Sequence, residues 1–217
     1  MRPETVLAFD TSAAHCAAAL LLPDGRCLLR HEEMARGQAE RLMPLLAELL
    51  AEGGVTWRDL SDLAVGTGPG NFTGIRISVA AARGLALGLG LPAHGVTIFE
   101  ALSFGQTGPT LIAQDARRGM AYVQMFRPDG PAGLVETGAL PEGFPAGAMP
   151  TVIGDLAPAY ADKHGLPIGQ PRFALTEAMA RSVQSRDETP AGRPAPFYLR
   201  GADAAPPSDP PPVILDV

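Results

Sequence analysis

The sequence is short of positive charge, cysteine and aromatic residues. Its 217 residues include 17 Lys plus Arg against 23 Asp plus Glu, and Lys163 is the only lysine. The net charge is -6, whereas a protein that binds nucleic acid unaided has an excess of basic residues. The two cysteines, Cys16 and Cys27, are too few for a disulfide scaffold and would not face each other across a hairpin. We therefore expect a protein of the reducing cytoplasm.

We also expect no targeting signal and no membrane-spanning segment. Arg2 and Glu4 directly precede a short strand-like run, so we expect no targeting signal. The most apolar stretch, residues 74–91, contains Arg76, Arg83 and several glycines, which favours a helix of a soluble protein over a membrane span. The four histidines lack metal-ligand spacing, and no Gly-x-Ser-x-Gly elbow supports a catalytic triad. We predict no metal site and no membrane role.

The composition is that of a turn-rich protein that can bury a hydrophobic core. Apolar residues make up 46% of it, alongside 25 glycines and 22 prolines. Hydrophobic periodicity and turn residues predict strands and helices in the order strand, strand, strand, helix, strand, helix, strand. The second half predicts a strand and two short helices, and the Pro-rich, acidic residues 201–217 predict a mobile tail. The predicted segments are strands 6–10, 17–22, 26–30, 62–66, 93–96 and 151–154 and helices 40–52, 73–90, 157–164 and 177–184.

The chain repeats itself at an offset of about 105 residues. Asp10 then aligns with Asp115, and the Pro-Asp-Gly turn at residues 23–25 aligns with residues 128–130. Two unrelated hairpins could share such a turn by chance, because its residues are common in turns. We favour duplication, with one lobe at residues 1–105 and a smaller one at residues 106–200.

A glycine-rich loop, residues 66–74, joins a predicted strand to a helix N-terminus. Backbone N–H groups there can bind phosphate, which makes this loop a possible anion or nucleotide site. The same residues also suit a tight turn in which Thr73 caps the helix, and the loop lacks the Lys-Ser/Thr pair of a P-loop. Asp10 and Asp115 could hold magnesium in a cleft or merely cap turns. The candidate residues for the loop site are Asp10, Gly68, Gly70, Thr73, Gly74 and Arg76.

The helix after this loop is apolar around almost its whole circumference. It could be covered on both sides by its own chain, or its outer face could form an association surface with the leucine-rich helix at residues 40–52. We predict that both helices contribute to a partner interface. The candidate interface residues are Leu42, Leu45, Leu46, Leu49, Ile75, Val79, Ala82 and Arg83.

Four segments together resemble the TsaB (YeaZ) family of bacterial tRNA threonylcarbamoyladenosine biosynthesis proteins. They are Leu7-Ala8-Phe9-Asp10-Thr11-Ser12, the loop Gly66-Thr67-Gly68-Pro69-Gly70-Asn71-Phe72-Thr73-Gly74-Ile75-Arg76, Asp115-Ala116-Arg117 and Pro196-Phe197-Tyr198-Leu199-Arg200. The resemblance runs from about residue 6 to residue 200. It implies an α/β fold of two ribonuclease-H-like lobes of the actin and sugar-kinase superfamily, each with a mixed sheet and flanking helices.

The resemblance also implies a non-catalytic subunit that supports threonylcarbamoylation of adenosine 37 in tRNAs decoding ANN codons. Its expected partners are a TsaD-like transferase and a TsaE-like ATPase. The chain is expected to form a homodimer when it is alone, and to contact tRNA only indirectly through the complex. It implies no cofactor of its own, and ATP and metal belong to the partners. Where TsaD-like proteins carry a metal-binding His pair, this chain has Ile98 and Leu102, which argues against transferase or peptidase activity. The alternative is an ATP-hydrolysing enzyme that uses Asp10, the glycine loop and Asp115.

Overall fold

The computed structural model describes residues 4–186 and 192–200, so the predicted tail at residues 201–217 lies outside the described residues. Two mixed sheets are flanked by helices, which confirms the expected α/β class. The first sheet has the order β3-β2-β1-β4-β5 and the second has the order β8-β7-β6-β9. The strands are β1 (Val6–Asp10), β2 (His15–Leu21), β3 (Cys27–Glu33), β4 (Asp62–Gly66), β5 (Ala93–Val96), β6 (Thr110–Asp115), β7 (Met120–Phe126), β8 (Gly133–Glu136) and β9 (Thr151–Ile153).

The three-strand plan recurs in the second sheet, as the internal repeat predicts. In each sheet the first strand pairs antiparallel with the next one and parallel with a later one: β1 with β2 and β4, and β6 with β7 and β9. The two Pro-Asp-Gly turns differ in detail. Gly25 takes a φ of 86° in the first turn, whereas in the second Arg127 takes a φ of 56° before a cis Arg127–Pro128 bond.

Five α-helices of the described residues lie against these sheets. The predicted helices are confirmed to within a few residues, and a short helix at residues 98–103 was not predicted. That helix begins at a capping box in which Thr97 and Glu100 bond each other's backbone N–H, and the Thr-x-x-Glu spacing is the signal that could have revealed it. The helices are α1 (Gln38–Gly53), α2 (Phe72–Leu89), α3 (Ile98–Ser103), α4 (Ala157–His164) and α5 (Leu175–Gln184).

Helices cover both faces of the first sheet. Leucines of α1 and apolar residues of α2 pack with Leu7 and Phe9 in one core cluster. On the opposite face, Met179 and Val183 of α5 pack against Val6 and Leu21. α5 follows the second sheet in the sequence, so the chain returns to the first sheet after completing the second. The lobe division at residue 105 therefore stays a prediction. It separates the two sheets, but α5 lies beyond it and still packs on the first sheet.

α2 is the one described helix that is long and apolar enough to cross a membrane by length and composition. Only 28% of its 18 residues are buried in the structure. Its buried residues, including Ile75, Val79 and Ala82, face the core of the first sheet. One side of this apolar helix therefore belongs to the fold, and the other side is left open.

Candidate functional site

The glycine loop between β4 and α2 packs directly against the turn that follows β1. The Asn71 N–H donates to the Ser12 carbonyl at 2.6 Å, and Thr11 Oγ1 donates to the Gly74 carbonyl at 2.7 Å. A Cβ atom at Gly74 would lie 1.9 Å from the Thr11 oxygen, and one at Gly70 would lie 2.4 Å from the Ser12 oxygen. The glycines therefore permit a close approach of two backbone segments, which is the turn-chemistry reading of this motif.

Asn71, and not Thr73, caps α2, so the predicted cap is wrong by two residues. Asn71 Oδ1 accepts from the N–H groups of Thr73 and Gly74 at 3.0 and 3.1 Å. An asparagine oxygen thereby occupies two of the donors that would bind an anion at this terminus. The loop residues proposed for an anion, Gly68 and Gly70 among them, are thus built into contacts of the chain with itself.

Arg76 interacts with aromatic side chains beside the loop. Its guanidinium lies 3.7 Å from the centre of the Phe72 ring, and its Nε donates to the Tyr198 hydroxyl at 3.0 Å. The Phe72 and Tyr198 rings are stacked, with 5.0 Å between their centres. This arrangement explains a cation in the first turn of α2 without a bound anion, because the ring faces and the hydroxyl oxygen both attract it.

The two repeat-related aspartates accept the same local hydrogen bond, from the backbone N–H two residues later. Asp10 Oδ1 accepts from the Ser12 N–H at 3.0 Å, and Asp115 Oδ1 accepts from the Arg117 N–H at 2.7 Å. Asp10 is buried, and its Oδ1 also bonds Ser12 Oγ at 2.9 Å and His15 Nε2 at 2.7 Å. Asp115 is exposed. The turn-capping reading fits both residues, and His15 is a partner of Asp10 that the sequence analysis missed, because no spacing rule marks it.

Residues 192–200 form a strap that lies across the glycine loop. The Phe197 N–H donates to the Thr67 carbonyl at 2.8 Å, and Arg83 Nε donates to the Pro194 carbonyl at 2.7 Å. Phe197 also packs in an apolar cluster with residues of α3 and the second sheet. The strap therefore ties the loop to both sheets, a role that the sequence analysis did not assign to it.

The predicted partner-interface residues are almost all core residues, which corrects that prediction. Seven of the eight are at most 3% exposed and pack inside the chain, whereas Arg83 is exposed. The helical period identified the apolar stripe correctly, but that stripe faces the sheet. The seven buried residues are Leu42, Leu45, Leu46, Leu49, Ile75, Val79 and Ala82.

The opposite side of α2 is exposed, and half of its residues are small. Leu87 is 80% exposed, and a Cβ atom added at Gly84 or Gly88 would meet no atom within 4 Å. We call this side the α2 outer face. It comprises Arg76, Ala80, Arg83, Gly84, Leu87 and Gly88.

Ile98 and Leu102 lie in an apolar environment on α3. Both belong to a cluster with Phe99, Ile112 and Tyr122. Among residues 4–186 and 192–200, no group of three or more His, Cys, Asp and Glu side chains is placed to hold a metal ion. Neither apolar side chain can coordinate a metal ion.

Both cysteines are free thiols, as expected. Cys16 pairs across the sheet with Glu32, and Cys27 pairs with Leu21, so the two do not face each other. Burial raises the pKa of each thiol to about 11. Both thiols therefore stay largely protonated at neutral pH.

Comparison with known proteins identifies relatives of this chain. A family model described as TsaD, tRNA N6-adenosine threonylcarbamoyltransferase, matches residues 31–131. An uncharacterized protein of Mycobacterium tuberculosis is 36% identical over 208 residues, covering 93% of this chain and 94% of that protein. The TsaB protein of Escherichia coli, named a tRNA threonylcarbamoyladenosine biosynthesis protein, is 37% identical over 129 residues, or 57% of this chain and 55% of that protein.

A solved structure agrees over nearly the full chain. YeaZ from Pseudomonas aeruginosa superposes with a TM-score of 0.73 at 27% identity, covering 90% of this chain and 100% of that one. The chain belongs to the TsaB (YeaZ) family. Another relative, an uncharacterized protein of Mycobacterium leprae, is 34% identical, and this chain spans 56% of its length. The two-lobe fold expected of the family agrees with the two mixed sheets.

Proposed function

We propose that this chain is a non-catalytic subunit in the synthesis of threonylcarbamoyladenosine at position 37 of tRNAs that decode ANN codons. The names of its TsaB relatives supply the process. In this proposal the chain binds a TsaD-type transferase in the cytoplasm and enables assembly with a TsaE-type ATPase. ATP and metal belong to those partner subunits.

The internal contacts of the loop support a non-catalytic role. Asn71 caps the amides at the N-terminus of α2, and Asp10 Oδ1 accepts three hydrogen bonds from Ser12 and His15. An ATP-hydrolysing enzyme would need these groups for phosphate or metal. Ile98 and Leu102 add side chains that cannot coordinate a metal.

The α2 outer face carries the partner-binding part of the proposal. It exposes Leu87 between small residues, and Gly84 and Gly88 allow another helix to approach closely. The stretch that matches the TsaD family model, residues 31–131, contains both α1 and α2, so a TsaD-type subunit has a related lobe. Related lobes can pair through equivalent faces, and the same face would support a homodimer of this chain in the partner's absence.

Gly84→Arg tests this interface without confounding it with folding. The position is exposed and open, and replacing a mid-helix glycine should raise the free energy of unfolding by up to about 1 kcal/mol. We expect the variant to melt at or above the wild-type temperature and yet to lose co-elution with a TsaD-type subunit in size-exclusion chromatography. Threonylcarbamoyladenosine in tRNA, measured by mass spectrometry in the reconstituted system, should fall in parallel.

Two matched variants complete this experiment. Ile168→Asp changes an exposed apolar residue that is not on α1 or α2, and it should leave assembly intact. Val79→Arg places a charge in the core and should unfold the chain. A folded Gly84→Arg chain that still binds the TsaD-type subunit with wild-type affinity would remove the α2 outer face from the proposal.

A further inference from the structure

The tip of the β6–β7 hairpin holds arginines in a backbone conformation that favours other residues. Arg117, Arg118 and Gly119 have φ values of 62°, 54° and 73°. The Met120 N–H donates to the Arg117 carbonyl at 3.1 Å, so Arg118 and Gly119 are the central residues of a tight turn with positive φ at both positions. Asn-Gly is the preferred pair in such a turn, and a positive φ costs free energy for any side chain with a Cβ.

The corresponding β1–β2 connection of the first sheet has no arginine. It contains Thr11, Ser12, Ala13 and Ala14, which are all neutral. Arg117 and Arg118 are both exposed, and within the described ranges the Arg117 side chain forms no ion pair. Asp115 Oδ1 fixes the tip by accepting the Arg117 N–H at 2.7 Å. Backbone strain in an exposed, rigid turn of this kind is a signal of function.

A third cation, Lys163, lies on a segment that is bonded to this turn. The Thr137 N–H donates to the Gly119 carbonyl at 2.8 Å, and the next residue, Gly138, lies under the stem of Lys163 at the end of α4. A Cβ atom at Gly138 would be 2.9 Å from Lys163 Cδ. The only lysine of the sequence therefore packs on the segment that is hydrogen-bonded to the arginine turn.

We propose that Arg117 and Arg118, with Lys163 on the adjoining segment, contact backbone phosphates of the tRNA substrate. This inference rests on the proposed function and goes beyond the expectation that tRNA meets this chain only indirectly. Guanidinium groups form paired hydrogen bonds with phosphate oxygens, and a rigid tip places them without further loss of backbone freedom. Glu136 ends β8 beside the turn, so the cations are separate points and not a uniform basic surface. That pattern suits a few defined phosphate contacts within a complex.

Arg117→Asn and the double variant Arg117→Asn/Arg118→Asn test the proposal. Asparagine tolerates positive φ better than arginine, so the wild-type melting temperature should be kept or raised. Binding of an unmodified ANN-decoding tRNA transcript is measured by fluorescence anisotropy against salt concentration, for the chain alone and with the TsaD-type subunit. Each lost phosphate contact should reduce the slope of log K against log salt by about 0.7–0.9 and weaken affinity roughly fivefold at about 0.15 M salt.

A control variant and two results that would contradict the proposal complete this experiment. Arg58→Asn removes an exposed arginine from another surface and should change neither slope nor affinity. If the double variant binds tRNA with the wild-type affinity and slope, or if wild-type protein binds tRNA in neither preparation, the phosphate assignment is wrong. Co-elution with the TsaD-type subunit is recorded for every variant, because its failure in the wild type would instead contradict the proposed function.

Discussion

At the residue scale, Asn71 both begins α2 and closes the glycine loop. Its side chain accepts from two N–H groups of the helix, and its own N–H donates to the Ser12 carbonyl. Asn71→Ala should therefore lower the free energy of unfolding by about 1 kcal/mol, the usual loss when a capping side chain is removed. Urea denaturation followed by circular dichroism measures this difference.

Two further variants separate the observed cap from the one that the sequence predicted. Asn71→Asp keeps an oxygen acceptor at the cap and should retain most of the stability. Thr73→Ala changes an exposed residue whose hydroxyl forms no cap bond, so it should shift the free energy of unfolding by less than about 0.5 kcal/mol. A larger loss for Thr73→Ala than for Asn71→Ala would contradict the observed capping.

The close approach of two backbone segments also explains why the sequence could not decide the role of the glycine loop. Glycines at positions 66, 70 and 74 predict either an anion site or a tight turn, since both need backbone without side chains. The choice depends on what lies opposite the loop. A Cβ atom at Gly66 would meet Asp10 Oδ2, and those at Gly70 and Gly74 would meet the turn after β1. Contacts between residues about 60 positions apart have no local sequence signal.

At the element scale, Arg41 joins α1 to β3. Its Nε and Nη2 donate to both carboxylate oxygens of Glu32 at 2.8 and 2.6 Å, and its Nη1 donates to Glu48 at 2.7 Å. The side-chain hydrogen bonds from Arg41 lower the pKa of Glu32 and of Glu48. A lowered pKa in the folded state stabilises the fold above the ordinary carboxyl pKa, and this stabilisation is lost as pH falls through the lowered value.

Arg41→Gln should consequently melt at a lower temperature than the wild type near pH 7. The decrease should be small, because these ion pairs are exposed to solvent. The difference between the two proteins should shrink as the pH falls below the ordinary carboxyl range, once both glutamates are protonated. Thermal melts from pH 7 to pH 3 provide the measurement, with Arg58→Gln as a control that should follow the wild type. A pH-independent difference would show that Arg41 acts through packing of its aliphatic stem alone.

The elements themselves were predictable to different degrees. β1, β4 and β5 match the predicted strands because short apolar runs between turn residues have few alternatives. α3 has only six residues, too few for a helical period to appear. For α1 and α2 the apolar stripes were found, but an apolar side chain has the same pattern whether it faces its own sheet or another chain. Burial of Leu45 and Leu49, and exposure of Leu87, could only be learned from the fold.

At the scale of the whole molecule, the chain is held together by segments that return to the first sheet. α5 covers the face formed by Val6, Leu21 and Ala64, and the strap bonds the glycine loop through the Phe197 N–H and Thr67. Both segments follow the second sheet in sequence. The repeat predicted two lobes, yet it gave no sign of this return, because α5 and the strap have no counterpart among the repeated residues.

The return of α5 makes the predicted boundary at residue 105 testable. A fragment of residues 1–105 contains all five strands of the first sheet, but it lacks Ala178, Met179 and Val183, which cover one of its faces. We expect the fragment to bind the dye ANS and to unfold without a cooperative transition, because that apolar face would be open to water. Joining residues 172–200 to it by a flexible linker should restore a cooperative melt and suppress dye binding. A fragment that unfolds cooperatively on its own would instead establish the first lobe as an independent domain ending at residue 105.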